Sequence, residues 1–235
     1  MFETMPDFFA NLGDNLALLL KLLPVLFKGA GITIVVVAGA MFFGLAFGLP
    51  MSMAQVYGPR PVRWLVSIYV WFFRGTPILV LLYLIFFGLF WMLNFYFNEI
   101  LAVILIMGMT STAYQSQIFR GSLQAIHAGQ LKGARALGMT DFQAIRSIIM
   151  PQALRISIPG WSNEYSIILK DSALAYAVGC KEIMSYAKGL AIANGNLALA
   201  IYILAGVIYL LITIIGLWGL RKLQRKIRIP GYSHA

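Results

Sequence analysis

Long apolar blocks separated by short polar breaks organise this chain. Residues 29–56 contain no charged side chain and are rich in Val, Gly, Ala and Phe. A helix needs about 20 largely apolar residues to cross the roughly 30 Å hydrocarbon core of a bilayer. The pattern predicts membrane-crossing helices over about 29–56, 62–93, 99–119, 159–180 and 197–219. Ahead of them, residues 6–27 are apolar but interrupted by Asp14, Asn15, Lys21 and Pro24, so residues 1–27 are expected to form a peripheral, interfacial helix. Gly58-Pro59-Arg60-Pro61 punctuates the first two blocks, and Asn94 to Glu99 forms a turn rich in aromatics and free of cations. The expected architecture is an all-α transmembrane bundle over 28–220 with about five crossings, followed by a basic tail over 221–235.

The extended polar stretch is 120–158. It holds Arg120, Lys132, Arg135, Arg146 and Arg155 against Asp141. Residues 121–138 read as a helix with Leu123, Ile126, Leu131, Ala134 and Leu137 on its apolar face, and Gly138 suits a left-handed cap. Thr140 to Gln143 fits the Ser/Thr-x-x-Glu/Gln capping box, in which both side chains satisfy orphan backbone donors at a helix start. A second short helix is expected from Asp141 to about Ile149, ended by Pro151. It carries Phe142, Ile145, Ile148 and Ile149, more apolar surface than its own loop can cover, and that points to docking on a partner.

Charge sets sidedness and excludes several functions. The 60% apolar share, 11% charged share and mean hydropathy of +0.83 do not fit a soluble domain. The net charge of +10 gathers at the ends of apolar runs, as helix-flanking cations do, so nucleic acid is not an expected partner. Twelve of the eighteen Lys and Arg residues fall in 58–63, 120–158 and the tail, which are expected to be cytoplasmic, with the amino terminus outside. One cysteine and two histidines leave no metal site or disulfide to expect. The acidic residues near the start argue against a cleavable signal peptide. G-x-x-x-x-G-K-[ST] does not occur in the chain, so no phosphate-cradling loop is expected here.

Polar groups inside apolar blocks are costly and mark function. Arg74 lies about twelve residues into the second block, near mid-depth if that helix is straight, and is a candidate to meet a substrate carboxylate or a gating anion. Asn163, Glu164, Lys170 and Asp171 interrupt the fourth block, with Glu164 and Asp171 on one helical face. Tyr114, Gln117 and Ser172 are further candidates for a translocation path.

Several motifs, in order over about 30–220, carry a family resemblance. Lys132-Gly133-Ala134, Gly138, Ile148 and Met150-Pro151 sit at the spacing of the EAA loop of ATP-binding cassette (ABC) importer permeases. Arg74-Gly75-Thr76-Pro77, Ala113-Tyr114, Arg120-Gly121, Gly129-Gln130 and Lys170-Asp171-Ser172-Ala173-Leu174 resemble the branch for polar amino acids. Two positions depart: Lys132-Gly133 stand where the loop has Glu-Ala, and Gln117 where the branch often has Glu.

The resemblance implies a type I importer permease fold in a bacterial cytoplasmic (inner) membrane, with a coupling helix built from Gly138, Thr140, Asp141, Phe142, Ile145, Arg146, Ile149 and Pro151. With the polar residues at membrane depth, it leaves Arg74, Thr76, Tyr114, Gln117, Glu164, Lys170, Asp171 and Ser172 as the candidates for substrate or pore contact. It further implies partners: ABC ATPase subunits that carry ATP and Mg, an extracytoplasmic substrate-binding protein, and a second permease, the same or related. Membrane lipid and a polar amino acid substrate complete the set, and the chain itself is expected to hold no cofactor and to catalyse no reaction. A self-sufficient channel or secondary transporter would need internal repeats or a coupling-ion site, and an intramembrane enzyme would need a catalytic cluster; neither is evident.

Overall fold

The structure, a computed structural model, describes residues 12–226. Residues 1–11 of the expected peripheral helix, with the amino terminus and its sidedness, and residues 227–235 of the basic tail lie outside the described residues. All described regular structure is helical. The helices are α1 Leu12–Tyr57, α2 Arg60–Gly75, α3 Ile78–Tyr83 with a π-helical continuation Leu84–Phe90, α4 Glu99–Gln124 and α5 Ala128–Ala136. Helix α6 comprises Asp141–Ala144, a π-helical turn Ile145–Ile149 and Met150–Asp171; 3₁₀ turns Ser172–Val178 lead toward α7 Ile183–Ala193, and α8 is Ala198–Lys226.

Two of these expectations are corrected. No boundary falls near residue 28, because α1 runs as one 46-residue helix. The charged and proline interruptions before 28 did not end it; Leu26 and Ala30 are buried by tertiary contacts that straddle the expected boundary. The second block is not one straight crossing. The axes of Arg60–Gly75 and Ile78–Phe90 differ by 107°. Pro77 cannot donate a backbone hydrogen bond and disfavours helical geometry at Thr76, which is extended at φ −99°, ψ 130°. The depth argued for Arg74 assumed a straight helix, and the chain turns directly after it.

By length and composition, Asn15–Tyr57 and Gly195–Lys226 are apolar enough to cross a membrane, and the bent pair qualifies as a third. Helix α4 is long enough, but its Thr110 to Gln117 run is polar and mostly turned inward.

The chain divides into two compact units. Among the described residues, the first comprises 12–40, 77–107 and 168–214. Its core joins Leu26 and Ala30 of α1, Ile183, Ala187 and Ala191 of α7, and Leu197, Ile201, Ala205 and Ile208 in and beside α8. Gly29 permits this packing, since a Cβ there would lie 2.8 Å from Ile183 backbone atoms. Glu182 stitches the same unit together. Its carboxylate accepts from the Met184 and Ser185 amides at 2.8 and 2.7 Å, capping α7, and from the Tyr209 hydroxyl of α8.

Among the described residues, the second unit comprises 41–76, 108–167 and 215–226. Here α1 and α4 approach closely through Gly44 and Gly48, a small-xxx-small spacing that lets membrane helices touch. A Cβ on Gly44 would stand 2.3 Å from Gln115 Nε2.

Candidate functional site

Two sites lie in the second unit, and the polar loop builds the first. Leu123, Ile126, Ile145, Ile149, Leu131 and Ala153 pack into one small cluster with Met53 and Val56 of α1. The expected single helix over 121–138 is broken after Gln124. Leu123, Ile126 and Leu131 would spread over about 140° of a straight helix, and the turn lets them converge. Gly138 takes the left-handed conformation, φ +80°, as expected.

Thr140 caps α6 as its spacing predicts. The Gln143 amide donates to Thr140 Oγ1 at 3.3 Å, and the Thr140 amide donates to Gln143 Oε1 at 2.9 Å. Arg135 donates two hydrogen bonds to Asp141, at 2.7 and 2.8 Å, tying α5 to the first turn of α6. The hydrogen bond from Arg135 holds the Asp141 carboxyl below its ordinary range. The pair's small, solvent-screened contribution is therefore present above the ordinary carboxylate range and disappears as pH falls through the lowered value. Thr140→Ala is expected to weaken the start of α6 by about 1 kcal/mol. Amide hydrogen exchange at Phe142 and Gln143 should speed up several-fold, and unchanged exchange would show the box to be idle.

The expected end of the helix at Pro151 is corrected: the helix continues through it. The π-helical turn Ile145–Ile149 lies immediately upstream, with the Met150 amide donating to Ile145 O, five residues back. The wider turn accommodates a proline that lacks a donor and would crowd the preceding turn. Gln152 Nε2 donates to Ile148 O at 2.9 Å, satisfying a carbonyl beside it. Burial also sorts the apolar residues. Ile149 is buried and Ile145 packs on the cluster, Arg146 is exposed, while Phe142 and Leu137 are 70% and 83% exposed.

The second site is a polar cluster among α1, α4 and α6. Ser111 Oγ donates to Glu164 Oε1 at 2.9 Å, Gln115 Nε2 donates to Met41 O at 3.0 Å, and Trp161 Nε1 donates to Gln115 Oε1 at 2.6 Å. Glu164 is 2% exposed. Nearby in sequence, Gln117 Nε2 donates to Gln55 Oε1 at 2.8 Å, and Arg120 Nη1 donates to Gln117 Oε1 at 3.2 Å. The exposed Arg74 guanidinium lies 5.0 Å from the centroid of the Tyr114 ring.

Thr76 spends its hydroxyl on Phe72 O at 2.8 Å, closing α2. Ser172, buried, donates to Leu169 O at 2.7 Å. It belongs to the first unit with the exposed Lys170 and the half-buried Asp171. The structure thus joins Arg74 to Tyr114 and gathers Glu164 with Ser111, Gln115 and Trp161, partners the sequence reading did not select. The polar run Thr110 to Gln117 inside an apolar block was the signal for the first two. Trp161 carried none.

Residues 40–229 match the binding-protein-dependent transport system inner membrane component family. The chain belongs to this family. It is therefore a component of a membrane transport system with the ABC permease fold, and not an enzyme. Among relatives, it is 33% identical over 214 residues to the glutamine transport system permease protein GlnP of Escherichia coli K12, covering 88% of this chain and 94% of that one. It is 30% identical over 206 residues to the arginine transport system permease protein ArtQ of Bacillus subtilis, at the same coverages of 88% and 94%. A crystal structure of an amino acid ABC transporter with histidines superposes with a TM-score of 0.79 at 28% identity, covering 88% of this chain and 96% of that one. Membership identifies the chain as a multi-pass inner membrane protein that works with ATPase, substrate-binding and second permease subunits.

Proposed function

We propose that this family member imports a polar amino acid by alternating access, powered by ATP and Mg bound in separate ATPase chains. The supporting observation is the capped start of α6, beside which Phe142 and Leu137 stand exposed while Ala144 and Ile149 are buried within the chain. That segment is read as the cytoplasmic coupling helix. A rigid connector with different contacts in two states is what transmits a conformational change, and the box, the Arg135–Asp141 pair and the small cluster supply the rigidity.

On this reading the cation-rich segments are cytoplasmic, the amino terminus is outside, and a binding protein delivers substrate from that side. The second permease is another copy or a related chain. The amino acid class is supported by the relatives named for glutamine and arginine transport. Arg74, stacked on Tyr114, is the group assigned to the substrate carboxylate; Glu164 accepts from Ser111 Oγ, which in turn accepts from Gln115 Nε2, and the three form a polar wall.

The test is ATP-dependent uptake of labelled amino acids in proteoliposomes with the ATPase and binding protein. Arg74→Gln is expected to reduce uptake about tenfold or more, the value of one charge-assisted hydrogen bond, with basal ATP hydrolysis retained. Arg74→Lys should recover only part of it, since lysine offers neither the planar fork nor the same stacking. Full uptake by Arg74→Gln would remove Arg74 from the path, and no uptake of any amino acid by the assembled wild-type complex would remove the substrate class.

A further inference from the structure

The carboxyl-terminal end of α8 carries none of the residues assigned above to coupling or to the translocation path. At 100° per residue, Leu211, Ile214, Trp218, Lys222 and Arg225 fall within about 80° of one another on this helix. Leu211, Ile214 and Trp218 are 50%, 49% and 60% exposed, and both cations are exposed. Ile201, Ala205 and Ile208, centred about 100° away around the helix, are buried in the first unit's core. The exposed stripe is thus apolar for about two turns from Leu211 to the Trp218 indole and ends in cations. Lys222 Nζ lies 5.3 Å from the Trp218 ring centroid, so the ammonium is held against the indole face. Arg221, Arg225 and Lys226 are exposed beside it, and no Asp or Glu follows Glu182 in the chain to neutralise them.

We infer that the end of α8, with Trp218, Lys222, Arg225 and Lys226 at its centre, is a binding site for anionic phospholipid headgroups. The apolar stripe of a membrane component faces acyl chains, and tryptophan settles at headgroup depth. The cations that terminate the same stripe are thereby placed at the phosphate level, where each contributes about fivefold to preference for an anionic lipid. This goes beyond flanking cations that set orientation, which requires no selectivity between headgroups. Continuity with the lipid-facing stripe favours lipid over an acidic protein surface as the occupant. The inference rests on family membership and does not depend on the proposed substrate or coupling.

The test is tryptophan fluorescence of the full chain in nanodiscs carrying acyl-brominated phosphatidylglycerol or acyl-brominated phosphatidylcholine at equal mole fraction. The sequence has five tryptophans, so the Trp218 component is taken as the difference between wild type and Trp218→Phe. Its quenching is expected to report a local phosphatidylglycerol fraction at least about fivefold above bulk. That excess should collapse in Lys222→Gln/Arg225→Gln/Lys226→Gln, persist in Lys222→Arg, and fall for the wild type in 1 M salt. Equal quenching by the two lipids would overturn the inference, as would a preference that survived both the triple variant and salt. Absence of quenching by either lipid would also overturn it, by placing a protein surface over Trp218. The salt arm needs no variant, so a triple variant that failed to fold would leave the test decisive.

Discussion

Phe142→Ala is expected to disconnect the permease from its ATPase while leaving the chain folded. The side chain is 70% exposed, so its loss removes little internal packing, and surface truncations of this kind usually change stability by about 0.5 kcal/mol or less. Its position is fixed by three neighbours: the Thr140–Gln143 box in its own turn, the Arg135–Asp141 pair, and Ile145 and Ile149 anchored in the cluster below. A pre-positioned aromatic ring has little entropy to lose on docking. Truncating such an anchor typically costs about 2–4 kcal/mol, corresponding to roughly 30- to 1000-fold weaker association. Titration of the purified ATPase onto the reconstituted permease should show that loss, together with loss of ATP hydrolysis stimulated by the binding protein. Unchanged affinity and stimulation, with an unchanged unfolding midpoint, would eliminate Phe142 as the contact.

Glu182→Ala should produce the largest loss of stability, in the other unit and for a different reason. One fully buried carboxylate accepts from the Met184 amide, the Ser185 amide and the Tyr209 hydroxyl. Removing it deletes the cap of α7, worth about 1 kcal/mol, and strands a half-buried hydroxyl and two amides, each penalised by about 1–3 kcal/mol where water cannot replace the partner. A total loss of about 3 kcal/mol is expected, read as a lower thermal unfolding midpoint in detergent. Tyr209→Phe, which leaves both amide contacts in place, should cost markedly less. A Glu182→Ala protein with the wild-type midpoint would show that α1, α7 and α8 are held by their apolar core alone.

The features legible from the chain itself are those produced by short-range physics. Gly138 and the Thr140–Gln143 box were read correctly because a left-handed turn and a capping box are decided within four residues. The expectation that the loop docks on a partner followed from the number of apolar side chains it holds, but their allocation did not. Phe142, Ile145 and Ile149 look equivalent in sequence; a cluster that also takes in Met53 and Val56, nearly a hundred residues upstream, buries Ile149, half-buries Ile145 and leaves Phe142 outside. Lys132 and Gly133, the departure at the start of the loop, are exposed and form no part of the anchoring cluster.

Proline shows the limit most clearly. Pro77 and Pro151 both remove a backbone donor; the expected crossing over 62–93 ran straight through the first, and the second was expected to end a helix. At Pro77 the preceding residue is extended and the axis swings by 107°; at Pro151 a π-helical turn absorbs the misfit and the helix runs on. The difference lies in the backbone just before each proline, extended at Thr76 and π-helical at Ile145–Ile149, and the presence of a proline alone does not select between them.

The sequence by itself determined that this is a helical membrane protein, where its polar loop lies, how that loop's helix begins and to which family it belongs. These rest on composition, on hydrogen bonds between residues a few positions apart, and on motif spacing. Only the tertiary structure decided which apolar side chains stay available to a partner, where the second block bends, and that Ser111, Gln115, Trp161 and Glu164 share one cluster. Burial and polar satisfaction are set by helices that meet from distant parts of the chain, and no periodicity within a single block records that meeting.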